Sequence, residues 1–307
     1  MLEVNNLTKD YGFGRGVFDV SFHVDEGEVF GFLGPNGAGK TTTIRHIMGF
    51  SKPQHGSTSV TGLDSWEQAA VIQSGLGYLP GEIALPQGLT GTQFIEYMAQ
   101  LRGITDMAKT EYLLEKFDLD PSGKLKRMAL GLKRKLAIVT AFMHDPKILV
   151  LDEPTSGLDP IMQGTFIDFV IEEKGLGKTI LLSSHIFSEV EATCDRIAII
   201  KEGRIVSQIV TDDLRHRQDK VYDIEFLSAE DFDRFTRETG LEMITAHPEK
   251  MQVKVGIHDD DVNEFFSLLS RYSLKYLKEQ KFTLEEFFLD FYDRRKTVEE
   301  GIAHVAD

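Results

Sequence analysis

Three short apolar runs without polar alternation stand at residues 30–33, 148–151 and 179–182. Runs of this kind suit parallel strands buried on both faces of a sheet. Residues 2–4 and 17–24 alternate instead and predict antiparallel strands with one polar face. Residues 196–200 and 205–209, separated by Lys201-Glu202-Gly203-Arg204, predict a hairpin. Helically spaced segments lie between these runs, so the first two-thirds of the chain predict an α/β layer structure, mainly a parallel sheet flanked by helices.

The pattern changes near Thr211. Residues 221–226 alternate, 229–239 are helical up to Gly240, and 241–246 with 251–257 predict a strand pair around Pro248. A helix with an acidic first turn follows over 259–272, and residues 274–280 alternate again. The order β-α-β-β-α-β predicts a small split-βαβ, ferredoxin-like α+β unit. A closing helix starts at Thr283, with Glu286 completing a capping box. Its Leu284, Phe287, Phe288 and Phe291 share one apolar face for core packing or docking. The expected division is a first domain over 1–210 and an accessory domain over 211–307.

A length of 307 residues agrees with two domains, and 41% hydrophobic residues supply two cores. Net charge narrows the partners: 34 Lys+Arg against 49 Asp+Glu leave −15. Duplex nucleic acid is bound by neutralising phosphates, so no nucleic-acid partner is expected. The single Cys194 excludes an intrachain disulfide and a Cys-rich zinc site and reads as a buried hydrophobe in a reducing compartment. The longest apolar candidate, residues 136–143, falls far short of the ~18–20 that a membrane helix needs. Met1-Leu2-Glu3-Val4 has no basic or apolar leader pattern. A soluble chain is expected, with any membrane role exercised through a partner.

Gly34-Pro35-Asn36-Gly37-Ala38-Gly39-Lys40-Thr41-Thr42 carries the chemistry. It follows the strand expected at 30–33 and precedes a helical pattern over 42–48, the context that a phosphate loop requires. Glycines let successive N–H groups point into one concavity at a helix N-terminus. Lys40 adds charge for β- and γ-phosphates, and the Thr41 hydroxyl is a ligand for Mg²⁺. Residues 148–151 run into Asp152-Glu153. Asp152 at a strand's carboxyl edge offers the metal a second hard oxygen, and Glu153 can polarise a water aimed at the γ-phosphate.

With these residues in place the chain resembles the ABC ATPases. Glu153-Pro154-Thr155-Ser156-Gly157-Leu158-Asp159-Pro160 is similar to that family's D-loop, and Leu182-Ser183-Ser184-His185 to its histidine switch. Tyr11, in Leu7-Thr8-Lys9-Asp10-Tyr11-Gly12, stands where the family's adenine-stacking aromatic falls. The resemblance covers residues 1 to about 210 and implies a P-loop NTPase cassette with antiparallel β and helical subdomains. It implies ATP and Mg²⁺ as ligands, with Lys40, Glu153 and His185 in catalysis. It also implies a head-to-tail dimer, either homodimer or pair with a related subunit, and a permease partner at the cytoplasmic face of the membrane. The C-terminal extension, through Leu284-Glu285-Glu286-Phe287-Phe288-Leu289, is similar to that of ABC-2-type exporter subunits.

Departures from the family pattern are informative. The signature segment falls at Met128-Ala129-Leu130-Gly131-Leu132. Ala129 lacks the hydroxyl that the resemblance would aim at a γ-phosphate across the dimer, while Gly131 is retained. Asp159 and Gly131 are expected near the partner's nucleotide. Gly81, in Tyr78-Leu79-Pro80-Gly81-Glu82, stands where a glutamine is common; water or Glu82 would have to replace it. Phe94, Tyr97, Met98 and Leu101 read as a core stripe, with docking surface as the alternative. Lys124, Lys126, Arg127, Lys133, Arg134 and Lys135 read as a solvated basic face, with attraction to nucleotide phosphates or anionic lipid as the alternative. His46, His55 and His144 lack metal-ligand spacing. The expectation is an ATP-hydrolysing exporter subunit. A non-transport clamp on ribosome or nucleic acid, and a regulatory ATP-binding module, are the alternatives; cargo and the role of 211–307 stay open.

Overall fold

A computed structural model describes residues 1–215, 219–280 and 284–285. Thr283, Glu286, Phe287, Phe288 and Phe291 of the expected closing helix lie outside the described residues; Leu284 is buried. The chain divides into two compact units, Met1–Thr211 and Asp212–Asp307.

The first unit opens with strands β1 (Leu2–Asp10), β2 (Gly16–Val24) and β3 (Val29–Leu33), followed by helix α1 (Lys40–Ile47). Next come β4 (His55–Val60), β5 (Leu63–Asp64), α2 (Ala69–Gly75) and β6 (Leu76–Leu79). Three helices then run in succession: α3 (Gly91–Arg102), α4 (Ala108–Lys116) and α5 (Leu130–Phe142). The remainder is β7 (Ile148–Asp152), α6 (Pro160–Gly175), β8 (Thr179–Ser184), α7 (Phe187–Thr193), β9 (Arg196–Lys201) and β10 (Arg204–Val210), and α8 (Thr211–Arg215) begins at this unit's last residue.

Six strands form one sheet in the order β10-β9-β3-β8-β7-β6. All neighbours are parallel except β9 and β10, which form the hairpin expected from their sequence. Every residue of β3, β7 and β8 is buried, as unbroken apolar runs dictate. The alternating strands make a second, antiparallel sheet, β2-β1-β4-β5. Its inward residues, among them Leu2, Val4, Val20 and Phe22, join Phe30 and Phe32 of β3 in one core with Ile44 and Ile47 of α1. Phe22 stacks on Phe30 with ring centroids 5.1 Å apart. Each fully buried side chain of this size contributes about 1.5–3 kcal/mol.

Local signals set the helix ends. Thr90 and Gln93 form a reciprocal capping box at α3, which stops at Gly103 with φ 65. The buried face of α3 is Gly91, Ile95 and Ala99, whereas Tyr97 and Leu101 are 50% and 63% exposed. The core-stripe reading is therefore corrected for Tyr97 and Leu101, whereas Phe94 and Met98 are half-buried. A single apolar periodicity fits two adjacent helix faces, and the one bearing the smaller residues approaches the core.

The second unit contains β11 (Asp219–Phe226), α9 (Ala229–Glu238), β12 (Glu242–His247), β13 (Gln252–His258), α10 (Val262–Leu269) and β14 (Leu274–Gln280). Its sheet order is β12-β13-β11-β14 with every neighbour antiparallel. Phe232 and Phe235 of α9 and Phe265 and Leu269 of α10 cover Tyr222, Ile224, Phe226, Val253, Val255 and Ile257. The helix expected over 259–272 is shorter. Asp259–Asp261 form a tight 3-10 turn, and Tyr272 leaves the helix to pack edge-on against Phe226 and Phe235. Three adjacent aspartates are tolerated at a helix N-terminus but disfavoured within it. Among the described residues no helix is long and apolar enough to cross a membrane.

Candidate functional site

The carboxyl ends of β3, β8 and β7 lie side by side, the edge where ligands bind in parallel α/β sheets. Beyond Leu33 the chain curls through Gly37 at φ 81 and Gly39 at φ 113 into α1. A Cβ on Gly39 would come within 2.8 Å of Val17 Cγ1, so both backbone conformation and space demand glycine there. This turn is why α1 starts at Lys40 rather than at Thr42. The first turn of α1 has no side-chain cap and no acidic residue, which leaves a helix N-terminus suited to an anion. The Lys40 ammonium is buried; it donates to Gly34 O at 2.6 Å and Pro35 O at 3.2 Å.

Glu153 Oε1 lies 3.0 Å from Lys40 Nζ, an ion pair whose angles fall outside hydrogen-bond geometry. The other oxygen, Oε2, meets His185 Nδ1 at 2.5 Å. Lys40, Glu153 and His185 therefore form one contiguous chain of contacts. Glu153 adopts φ 49, a left-handed conformation that strains a non-glycine residue and turns its carboxylate off the end of β7. Its N–H donates to Ser183 O at 3.0 Å. Beside it, the Thr41 hydroxyl donates to Asp152 Oδ2 at 2.8 Å, and Ser183 Oγ donates to Asp152 Oδ1 at 2.5 Å. Two hard-oxygen donors, Thr41 and Asp152, are thus in contact at the mouth of the loop, a set that fits Mg²⁺.

Residues around this core include two that the sequence reading missed. Ser183, in the sequence only a member of the histidine-switch string, fixes Asp152. Arg134 is 2% exposed rather than solvated, and Lys135 is buried as well. The Arg134 guanidinium donates to Pro80 O at 2.9 Å, Gly81 O at 2.6 Å and Ser156 O at 2.9 Å. Burial lowers the Arg134 pKa, while the charges of Asp152 and Glu153 oppose that shift. The backbone carbonyls of Pro80, Gly81 and Ser156, with the two nearby carboxylates, explain why a basic side chain goes inside. Gly81 lies against Asp152: an added Cβ would stand 3.0 Å from Oδ2. Glu82 is exposed, so it does not move inward to replace the family's glutamine. Tyr78 is pushed up to about 12 by burial and by the charge on Asp152.

Other expected residues are placed apart. Tyr11 is half exposed in the β1–β2 turn, whose far side, Gly16 and Val17, touches the phosphate loop at Gly39. Ala129 is the uncapped N-cap residue of α5, and Gly131 packs against the Gly157 carbonyl. Asp159 accepts from Ile161 N at 3.1 Å and Met162 N at 3.0 Å, capping α6. No described hydrogen bond or ion pair joins Ala129, Gly131 or Asp159 to residues 34–42 of the same chain. Cys194 is buried with its thiol pushed up to about 12, in keeping with an inert hydrophobe. His46 is buried against Thr42 O, and His144 accepts from Arg102 at 2.7 Å.

The family model described as ABC transporter matches residues 17–156. The chain is 37% identical over 210 residues to the uncharacterized ABC transporter ATP-binding protein YhcH of Bacillus subtilis (strain 168), covering 67% of this chain and 68% of that one. It is 34% identical over 230 residues to the bacitracin transport ATP-binding protein BcrA of Bacillus licheniformis, covering 73% and 74%. A solved ATP binding subunit of an ABC transporter superposes with TM-score 0.64 at 33% identity, over 71% of this chain and 92% of that one. With kinship of this extent laid over a phosphate loop, an acid pair and a histidine in contact, the chain belongs to the ABC transporter ATP-binding proteins and is an ATPase of that family.

Proposed function

We propose that this chain powers a membrane exporter, gripping ATP in residues 34–42 and hydrolysing it through Glu153 and His185. The observation that carries this reading is the contact chain from Lys40 through Glu153 to His185 at adjacent strand ends. Phosphates seated on Gly34, Pro35, Asn36, Gly37, Ala38, Gly39, Thr41 and Thr42 compete with Glu153 for the Lys40 ammonium. The freed carboxylate then accepts a proton from the attacking water, and His185 holds its far oxygen in place. Thr41 and Asp152 would hold Mg²⁺, which when bound neutralises phosphate charge. The Tyr11 ring offers an apolar face to adenine.

Ala129, Gly131 and Asp159 lie outside their own chain's loop contacts, which supports a head-to-tail dimer in which they serve the partner's nucleotide. The dimer is a homodimer or a pair with a related subunit. With alanine at 129 in place of a hydroxyl-bearing residue, closure loses a hydrogen bond of about 0.5–1.5 kcal/mol, leaving the α5 N-terminus to carry the contact. Moving cargo across a bilayer calls for an integral-membrane permease, placing the chain at the cytoplasmic face. The bacitracin transport relative favours this over a clamp on ribosomes or nucleic acid. Residues 1–210 then form the ATP-binding domain and 211–307 an accessory domain.

Glu153→Gln tests the reading. The variant is expected to bind MgATP within about threefold of wild type while kcat falls about 100-fold or more. Undiminished turnover would remove Glu153 from this role.

A further inference from the structure

Behind the Glu153–His185 pair lies a second carboxyl that the proposed hydrolysis does not use. Glu189 of α7 is 2% exposed. Ser184 Oγ donates to its Oε2 at 2.5 Å, and the Thr155 side chain lies beside the same carboxyl. Its Oε1 is buried with no hydrogen-bond partner.

The two hydroxyls belong to different arms of the site. Ser184 immediately precedes His185; its Oγ also accepts from Ile186 N at 3.0 Å, so that one hydroxyl grips both flanks of the histidine. The Ser184 carbonyl accepts from Gly34 N at 3.2 Å, continuing the link into the phosphate loop. Thr155 lies two residues beyond Glu153, and its carbonyl accepts from Leu158 N at 3.0 Å within the loop that leads to Asp159. Both arms are otherwise short connections at strand ends. The Glu153 arm is further strained by its positive φ.

We propose that Glu189 is a positioning residue that ties the histidine-bearing turn to the loop after Glu153, holding the Glu153–His185 pair in register for ATP hydrolysis. This rests on the hydrolytic reading above. A buried carboxyl with a bare oxygen is costly as mere filling, and an apolar residue would fill the space at lower cost. What the carboxyl adds is an acceptor that is bonded to the histidine-bearing turn and stands beside the hydroxyl of the loop after Glu153. The charged or titratable groups facing it are Glu153, His185 and the neutral Cys194 thiol. Glu189 touches no nucleotide-contacting residue other than through these hydroxyls, so its influence falls on turnover rather than on binding.

The test measures ATP turnover and MgATP affinity on the full chain for wild type, Glu189→Ala, Glu189→Gln and Glu153→Gln. Glu189→Ala is expected to lower kcat about tenfold or more with KM within about twofold, as misplacement of reacting groups does. Glu189→Gln keeps an acceptor for the Ser184 hydroxyl and is expected to restore most of that loss. Alanine turnover within about twofold of wild type, a raised KM with intact kcat, or a glutamine variant no better than alanine would each overturn the proposal. Should Glu189→Ala not fold, Ser184→Ala and Thr155→Val each remove one arm. At least one must lower kcat by about threefold or more, and two unchanged variants overturn it. Loss of turnover in Glu153→Gln with none at Glu189 sinks the positioning role alone. Full turnover in Glu153→Gln sinks the hydrolytic reading beneath it.

Discussion

At the scale of single residues, the same burial that isolates Glu189 gives it a measurable titration. Desolvation, reinforced by the charge of Glu153, pushes its carboxyl from 4.5 up to about 7. The folded chain therefore holds this proton more tightly than the unfolded chain. The resulting stabilisation is complete below about pH 4.5 and is lost as pH rises through about 7. It is on the order of 3 kcal/mol. Between about pH 5 and pH 7.5 the melting midpoint of wild type is expected to fall by several degrees more than that of Glu189→Gln. Equal slopes would show that Glu189 does not carry the proton. Lys40, Thr41, Asp152 and Glu153 were legible in the sequence because each sits in a contiguous string with its own backbone signature, and His185 was legible through the resemblance of residues 182–185 to the histidine switch. Ser183, Arg134 and Glu189 were not. A buried polar side chain is explained by its partners, and theirs lie on other elements.

At the scale of elements, charge does inside this molecule what apolar periodicity does elsewhere. Glu173 of α6 is 2% exposed and is ion-paired to Lys109 of α4, at 2.8 Å, and to Lys178 at the start of β8. Lys178 also pairs with Asp145 at 2.5 Å, holding that carboxyl below its ordinary range. The cluster fastens the helical segment to the parallel sheet. Removing one cation leaves a buried carboxylate half compensated, so Lys178→Ala is expected to destabilise the first unit by about 3 kcal/mol. Urea unfolding reads this directly, and a loss under about 0.5 kcal/mol would mean that Lys109 alone satisfies Glu173. The strands were read well because an unbroken apolar run and a strict alternation each have one structural solution. The helices were read less well: α3 exposes Tyr97 and Leu101 of the four residues read as its stripe, and α10 gave up its ends to a 3-10 turn and to Tyr272. A helix has several faces of similar apolarity, and what it packs against selects one.

For the whole molecule, the described residues include a core cluster within each unit. One cluster runs from Leu2 to Ile205 and the other from Tyr222 to Leu274, with no residue in common. A chain ending at Thr211 is therefore expected to stay folded and to bind MgATP within about threefold of the full chain, since each core is buried within its own unit. Calorimetry of the truncated and full chains checks this, and an insoluble or unfolded fragment would contradict it. Sequence by itself determined the chemistry that lies along short stretches of backbone: a glycine-permitted curl before Lys40, an apolar strand ending in Asp152-Glu153, and a change of pattern near Thr211. These follow from local sterics and periodicity, which need no knowledge of the rest of the chain. Only the tertiary structure decided that Thr41 meets Asp152 across 111 residues, that Arg134 goes inside, and that Glu189 stands behind Glu153 and His185. Those contacts depend on which strands become neighbours, and neighbourhood is settled by burial of the whole core rather than by any one segment.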